Sequence, residues 1–135
     1  MLIIDEAWYL LKHPESADFM FGIAKRSRKY YLGVTTITQD IGDFLDSPYG
    51  VPIITNSALK MLFKQSSATI DKIGNTLHLT DVEKAILLQA EVGTGLFIAG
   101  NKHAVVQVIP SYTEDQMITS DPEQLLAMKK DKENI

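Results

Sequence analysis

Three apolar residues, LII at positions 2–4, open the chain, and two carboxylates, Asp5 and Glu6, follow at once. A short, continuously apolar run predicts a strand buried on both faces, as central strands of parallel sheets are. AWYLLKHP then allows a helical turn, but Pro14 biases His13 away from helix and predicts a break there. PESADFMFGIAKRSRK predicts a helix of about four turns. Pro14 and Glu15 suit its first turn and the Lys/Arg cluster its last. YYLGVTTITQ, β-branched and apolar, predicts a second buried strand that ends near Gln39.

Beyond Gln39 the pattern is punctuated. Gly42, Pro48, Gly50 and Pro52 mark DIGDFLDSPYGVP as a loop with a short helical turn. ALKMLFKQ predicts a third strand and SSATIDKIGNTLH a helix after it. LTDVEKAILLQA carries its own start signal, because Thr80 and Glu83 have capping-box spacing, and VGTG ends that helix. LFIAGNKHAVVQVIP predicts a hairpin with GNKH as the turn. The tail TSDPEQLLAMKKDKENI starts a helix, with Ser120 or Asp121 as cap and Pro122 at its first position, and ends in a charged stretch. The sum is an α/β layout with parallel strands first. Three buried strands alone leave an open sheet edge, which calls for partner strands from upstream chain or from a second copy.

Composition narrows the function classes. At 135 residues the chain is long enough for one domain with its own core. A formal net charge of -4 gives no global attraction to nucleic acid or anionic membrane, so DNA is a partner that the charge does not indicate. The absence of cysteine removes disulfides, thiol nucleophiles and Cys-ligated zinc. No apolar run approaches the roughly 18 to 20 residues that span a bilayer, and no transmembrane segment is expected.

The chemistry concentrates at strand ends. A carboxylate at the end of a strand can orient Mg²⁺ in nucleotide hydrolysis while its neighbour polarises the attacking water, which fits Asp5 and Glu6. An acidic pair capping the next helix is the plain alternative. Gln39 ends the next strand, and in a parallel sheet the C-terminal strand ends line one crevice, so its amide can sense a γ-phosphate or hold water. In KRSRKYY, the cations Lys25, Arg26, Arg28 and Lys29 suit a helix C-terminus. Two sharper roles are open: one arginine serves a neighbouring subunit's phosphate, or the stretch contacts nucleic acid with Tyr30 and Tyr31 as stacking rings. Strand or core packing is the expected place of both tyrosines. His13, His78 and His103 show no metal-ligand spacing and are expected at the surface or in loops; Trp8 is expected to pack. The two glycines of VGTGLF precede a strand and make a turn, and no GxxxxGK(S/T) loop occurs anywhere in the 135 residues.

Taken in order, these stretches closely resemble the C-terminal ATPase domain of the VirB-four/TraC/TraE family, the ATPases of type IV secretion and conjugation within the HerA–FtsK group of P-loop motors. The resemblance runs from IIDEAW through ITQD, NSALKMLFKQ, LTDVEKAILLQA and GLFIAGNK to TSDPEQL. It implies the C-terminal portion of a RecA-like P-loop core plus a β-hairpin: residues 1–119 a partial core that begins at Walker B and lacks Walker A, and 120–135 a C-terminal helix and charged tail. It makes Asp5 the magnesium-side carboxylate, Glu6 the catalytic glutamate, Gln39 the strand-end glutamine and Arg28 the arginine that acts across a subunit boundary. Relatives usually have Gly-Arg-Lys there, and Ser27 stands in place of the glycine. Arg26, Lys29, Asn56, Lys64 and Gln65 follow as nucleotide or subunit-interface residues. The resemblance further implies ATP and Mg²⁺ in a longer parent and an upstream Walker A half of the same polypeptide. It implies a hexameric ring, other secretion components as partners, and a place at the cytoplasmic face of a bacterial membrane. By itself the chain is expected not to hydrolyse ATP. A docking module of the secretion machinery and a DNA translocase of the same group are the alternatives.

Overall fold

The computed structural model describes residues 1–39, 41–119, 121–122 and 124–126. Strand β1 (Leu2–Ile4) leads through a four-residue helix α1 (Ala7–Leu10) into α2 (Pro14–Arg26). A 3-10 turn, Ser27–Tyr30, then delivers the chain to β2 (Val34–Thr36). β1 and β2 pair in parallel, Leu2 opposite Val34 and Ile4 opposite Thr36, so this opening is a strand–helix–strand crossover. Pro14 opens α2 as its spacing required, after His13 adopts extended backbone.

Neither strand is buried on both faces. Ile3 points outward at 58% exposure while Leu2 and Ile4 are half-buried, because among the described residues this parallel sheet has two strands only. The expected second strand also starts later than its β-branched run. Tyr30 belongs to the 3-10 turn, and Tyr31 takes left-handed backbone (φ 53°) and is wholly exposed. The expectation that both tyrosines pack is therefore corrected.

The punctuated stretch is more ordered than its glycines and prolines predict. It folds as two helices, α3 (Ile41–Asp46) and α4 (Gly50–Asn56). Pro48 falls between them, and Pro52 sits in the first turn of α4, where a missing N–H costs no helical bond. Gly50 makes the corner: a Cβ there would lie 1.6 Å from the Phe44 carbonyl oxygen. The helices form because Phe44, Leu45 and Ile53 need burial, a demand local turn chemistry does not reveal.

The third strand is corrected as well. β3 (Leu59–Leu62) joins an antiparallel sheet of order β3-β4-β5, where β4 is Thr94–Ala99 and β5 Lys102–Gln107, with Leu59 opposite Ala99 and Leu62 opposite Leu96. It does not extend the parallel pair. Gly95 of β4 lets the Leu62 carbonyl approach, since a Cβ there would stand 2.5 Å from that oxygen. Between these strands lie α5 (Ile70–Leu77) and α6 (Asp81–Gln89). The hairpin is present, β4 (Thr94–Ala99) and β5 (Lys102–Gln107), with its turn at Gly100 and Asn101 rather than across all of GNKH.

The Thr80–Glu83 capping box forms at α6 as its spacing predicted. Glu83 does more: its other oxygen meets Nδ1 of His103 on β5 at 2.6 Å, so His103 is a half-buried strand residue and not a loop one. The Thr80 backbone N–H, with His103 adding to it, holds the Glu83 carboxyl below the usual carboxylate range. A second capping box, Ser111 with Glu114, starts α7 (Tyr112–Ile118), a helix the sequence reading passed over although SYTE carries the signal. Farther on, the Gln124 backbone N–H donates to Asp121 Oδ1 at 3.3 Å and Pro122 stands at the first helical position. Ser120 and the charged stretch 127–135 lie outside the described residues.

Two apolar clusters hold these layers together. Ala7, Met20, Phe44 and Ile53 form one under the parallel pair; Leu62, Ile73, Leu87 and Leu96 are central to the other, under the antiparallel sheet. Ile41 and Ile54 pack against both, so α3 and α4 join the two layers and thereby bring the ends of β2 and β3 to one side. Among the described residues no helix is long and apolar enough to cross a membrane.

Candidate functional site

Glu6 stands where β1 ends, in left-handed backbone (φ 49°, ψ 44°) that costs a non-glycine residue on the order of 1 kcal/mol. Its backbone N–H donates to Asp5 Oδ1 at 2.9 Å. The turn is held by the β1–β2 ladder running past the strands: Ile37 N–H reaches Ile4 O at 2.8 Å and Ala7 N–H reaches Ile37 O at 2.9 Å. This geometry turns the Glu6 carboxylate toward Gln39, three residues beyond the end of β2. Gln39 Nε2 donates to Glu6 Oε1 at 2.5 Å, and the indole N–H of Trp8 donates to Glu6 Oε2 at 2.5 Å. The predicted meeting of Glu6 and Gln39 at one sheet edge is thus present.

Around them opens a cavity of about 660 Å³ lined by Glu6, Trp8, Gln39, Ile41, Lys64, Gln65, Ser66 and Thr69. Lys64 and Gln65 come from the end of β3, where the Gln65 N–H bonds the Leu87 carbonyl at 3.0 Å. Gln65 Nε2 turns back to Phe63 O at 3.1 Å. Ser66 and Thr69 face each other through their hydroxyls at 3.0 Å. One carboxylate, one ammonium, two amides and two hydroxyls therefore converge on one space, a donor-rich set suited to phosphate oxygens beside a base. Among the described residues no group of three or more His, Cys, Asp or Glu side chains is placed to hold a metal alone. Asp5 and Glu6 are adjacent where β1 ends, and Mg²⁺ takes one or two carboxylates with water and phosphate oxygens in its remaining positions.

The other predicted residues lie elsewhere. Arg28 and Asn56 line a second groove of about 210 Å³ with Ser27, Thr36 and Ser57, and among the described residues the two linings have no member in common. Asn56 Nδ2 caps its own helix at Pro52 O, 2.8 Å away. Arg26 folds back onto its own helix, with Nε 3.1 Å from Gly22 O, and Lys29 is exposed on the 3-10 turn. Sequence reasoning missed Trp8, Ser66 and Thr69. Trp8 carried no signal, because its i, i+2 contact to Glu6 is made from left-handed backbone at Glu6 that no residue pattern announces. Ser66 and Thr69 stood in a polar stretch read only as the approach to a helix.

None of the curated proteins matches the chain. Among solved structures it is similar to VirB4 of Thermoanaerobacter pseudethanolicus, with a TM-score of 0.76 and 31% identity over 84% of this chain. The match occupies 31% of that chain, so these residues span under a third of its length. The TraG P-loop domain matches residues 1–107, from before β1 to the last residue of β5. With that match and the parallel-strand site at the end of β1, the chain belongs to the TraG P-loop domain family.

Proposed function

We propose that this chain is the C-terminal part of an ATP-hydrolysing motor of a type IV secretion or conjugation system, residues 1–119 forming motor core and 120–135 an extension. The observation that carries the reading is the Glu6 carboxylate, held by Gln39 at the end of the parallel strands and facing a polar cavity. Glu6 acts as the base toward water, and Gln39 links its position to the neighbouring strand. Lys64 and Gln65 meet phosphate oxygens from the third side. Asp5 would hold Mg²⁺, directly or through water, and the ion would supply charge neutralisation on the phosphates of bound ATP. Arg28 and Asn56, in their separate groove, face a neighbouring subunit of a hexameric ring. The ring works with other secretion components at the cytoplasmic face of a bacterial membrane.

Gripping the β- and γ-phosphates needs a backbone nest and a lysine, and the 135 residues contain no GxxxxGK(S/T). Turnover accordingly requires such a loop from another segment of the polypeptide. The test supplies a Walker A-bearing segment of a relative to the purified chain. The chain by itself should hydrolyse ATP no faster than background, and the mixture should do so with Mg²⁺ dependence. Hydrolysis by the chain alone would overturn the split site. Indifference of the mixture would favour a non-enzymatic docking module.

A second reading draws on one specific observation. Arg28, Lys29, Tyr30 and Tyr31 are consecutive and all exposed, Tyr30 at 69% and Tyr31 at 100%. Two free rings beside two cations form a surface on which bases stack and phosphates pair, the chemistry of single-stranded nucleic acid binding. A labelled oligonucleotide should bind with strong salt dependence and lose roughly 5- to 100-fold in affinity with Tyr31→Ala. Binding unchanged by that substitution would remove this reading.

A further inference from the structure

Trp8 belongs to the site for a reason that packing does not supply. Its ring is half-buried against the cluster of Ala7, Met20, Phe44 and Ile53, and the Tyr9 ring meets it edge-on with centroids 5.9 Å apart. Trp8 lines the cavity, and its indole N–H donates to Glu6 Oε2 at 2.5 Å, two residues back along the chain. Glu6 makes that contact from left-handed backbone, which is unfavourable for a glutamate. Lys12 Nζ sits 4.2 Å above the centre of the same ring, and a cation there draws electron density from the indole and makes its N–H a stronger donor.

From this geometry we infer that Trp8 is a positioning residue that fixes the Glu6 carboxylate through the oxygen that Gln39 does not hold. The inference rests on the proposed role of Glu6 as base. A glutamate side chain has several rotatable bonds, and one donor restrains one oxygen but leaves the carboxylate free to swing about it. Two donors on different oxygens, one from β2's end and one from a ring anchored in the core, hold both its place and its plane. Each oxygen keeps lone-pair capacity for a water, so the restraint does not block the base.

Trp8 is the only tryptophan in the chain, so one indole N–H cross-peak reads the bond directly in the ¹⁵N-labelled 135-residue protein without nucleotide. Glu6→Ala should move that peak upfield, toward the position of a water-exposed indole. An unmoved peak would overturn the inference. Glu6 contributes nothing to either apolar cluster, so this arm does not depend on the folding of a Trp8 variant. In the assembly that turns over ATP, Trp8→Phe keeps a ring and removes the donor. It should lower kcat by roughly 10- to 100-fold, the value of a hydrogen bond to a charged group, with KM for ATP unchanged. Unchanged kcat, or a rise in KM alone, would overturn the positioning role. If Glu6→Gln proves fully active, the reading of the site fails, while the indole shift still reports whether the bond exists.

Discussion

Exchanging Glu6 for glutamine in the ATP-hydrolysing assembly should lower kcat by a factor of roughly 100 to 10,000 while nucleotide still binds. Glutamine has the same length, retains one carbonyl oxygen as acceptor, and so keeps one of the two contacts, to Gln39 or to Trp8. What disappears is the negative charge and the capacity to take a proton from water. Neither β1 nor the cavity wall depends on that charge: the turn is held by the Ile37–Ile4 and Ala7–Ile37 backbone bonds, which the substitution leaves alone. Steady-state turnover and the binding of a fluorescent nucleotide, measured on the same preparation, separate the two effects. Turnover within a few-fold of the unsubstituted protein would show that another group serves as base.

Phe44→Ala is expected to destabilise the fold by about 3 to 5 kcal/mol, the cost of truncating a buried phenylalanine and leaving its volume empty. Phe44 is 1% exposed and lies on α3, the helix that follows Gln39 and joins the two apolar clusters with α4. The cavity cannot close by a small shift, because the Phe44 carbonyl is already in tight contact with Gly50. Against a total stability on the order of 5 to 15 kcal/mol the loss is large. Thermal unfolding followed by circular dichroism should show a drop in Tm on the order of 10 °C or more. Val82→Ala, at a residue 69% exposed on α6, is the comparison and should change little. A Phe44→Ala protein as stable as that one would mean α3 does not anchor the layers as described.

The same residues explain how far the chain could be read in advance. Glu6 and Gln39 were legible because each ends an apolar run, and the rule that parallel strand ends share one crevice does not require knowing the distance between them. The Thr80–Glu83 box was legible because both partners lie within one helical turn. Arg28 and Asn56 were legible as residue types and not as neighbours; that they share a groove apart from Glu6 depends on how α4 returns toward the 3-10 turn. The tyrosines were misplaced because β-branched composition marks a strand without marking where it starts. Here it starts at Val34, after a left-handed residue that no pattern announces.

Residue order alone determined the order of most elements, the break before Pro14, the α6 cap, the hairpin and the strand-end carboxylate. Those depend on periodicity, dihedral preference and contacts a few residues apart, all written locally. Tertiary structure alone decided that β3 pairs antiparallel with β4, that the punctuated stretch becomes two helices, and that Trp8 and Gln39 hold Glu6 from two sides. Each of these follows from burying apolar surface contributed by distant segments, or from a backbone turn stabilised by such burial. Such terms are summed over the whole chain, so no short window of residues contains them.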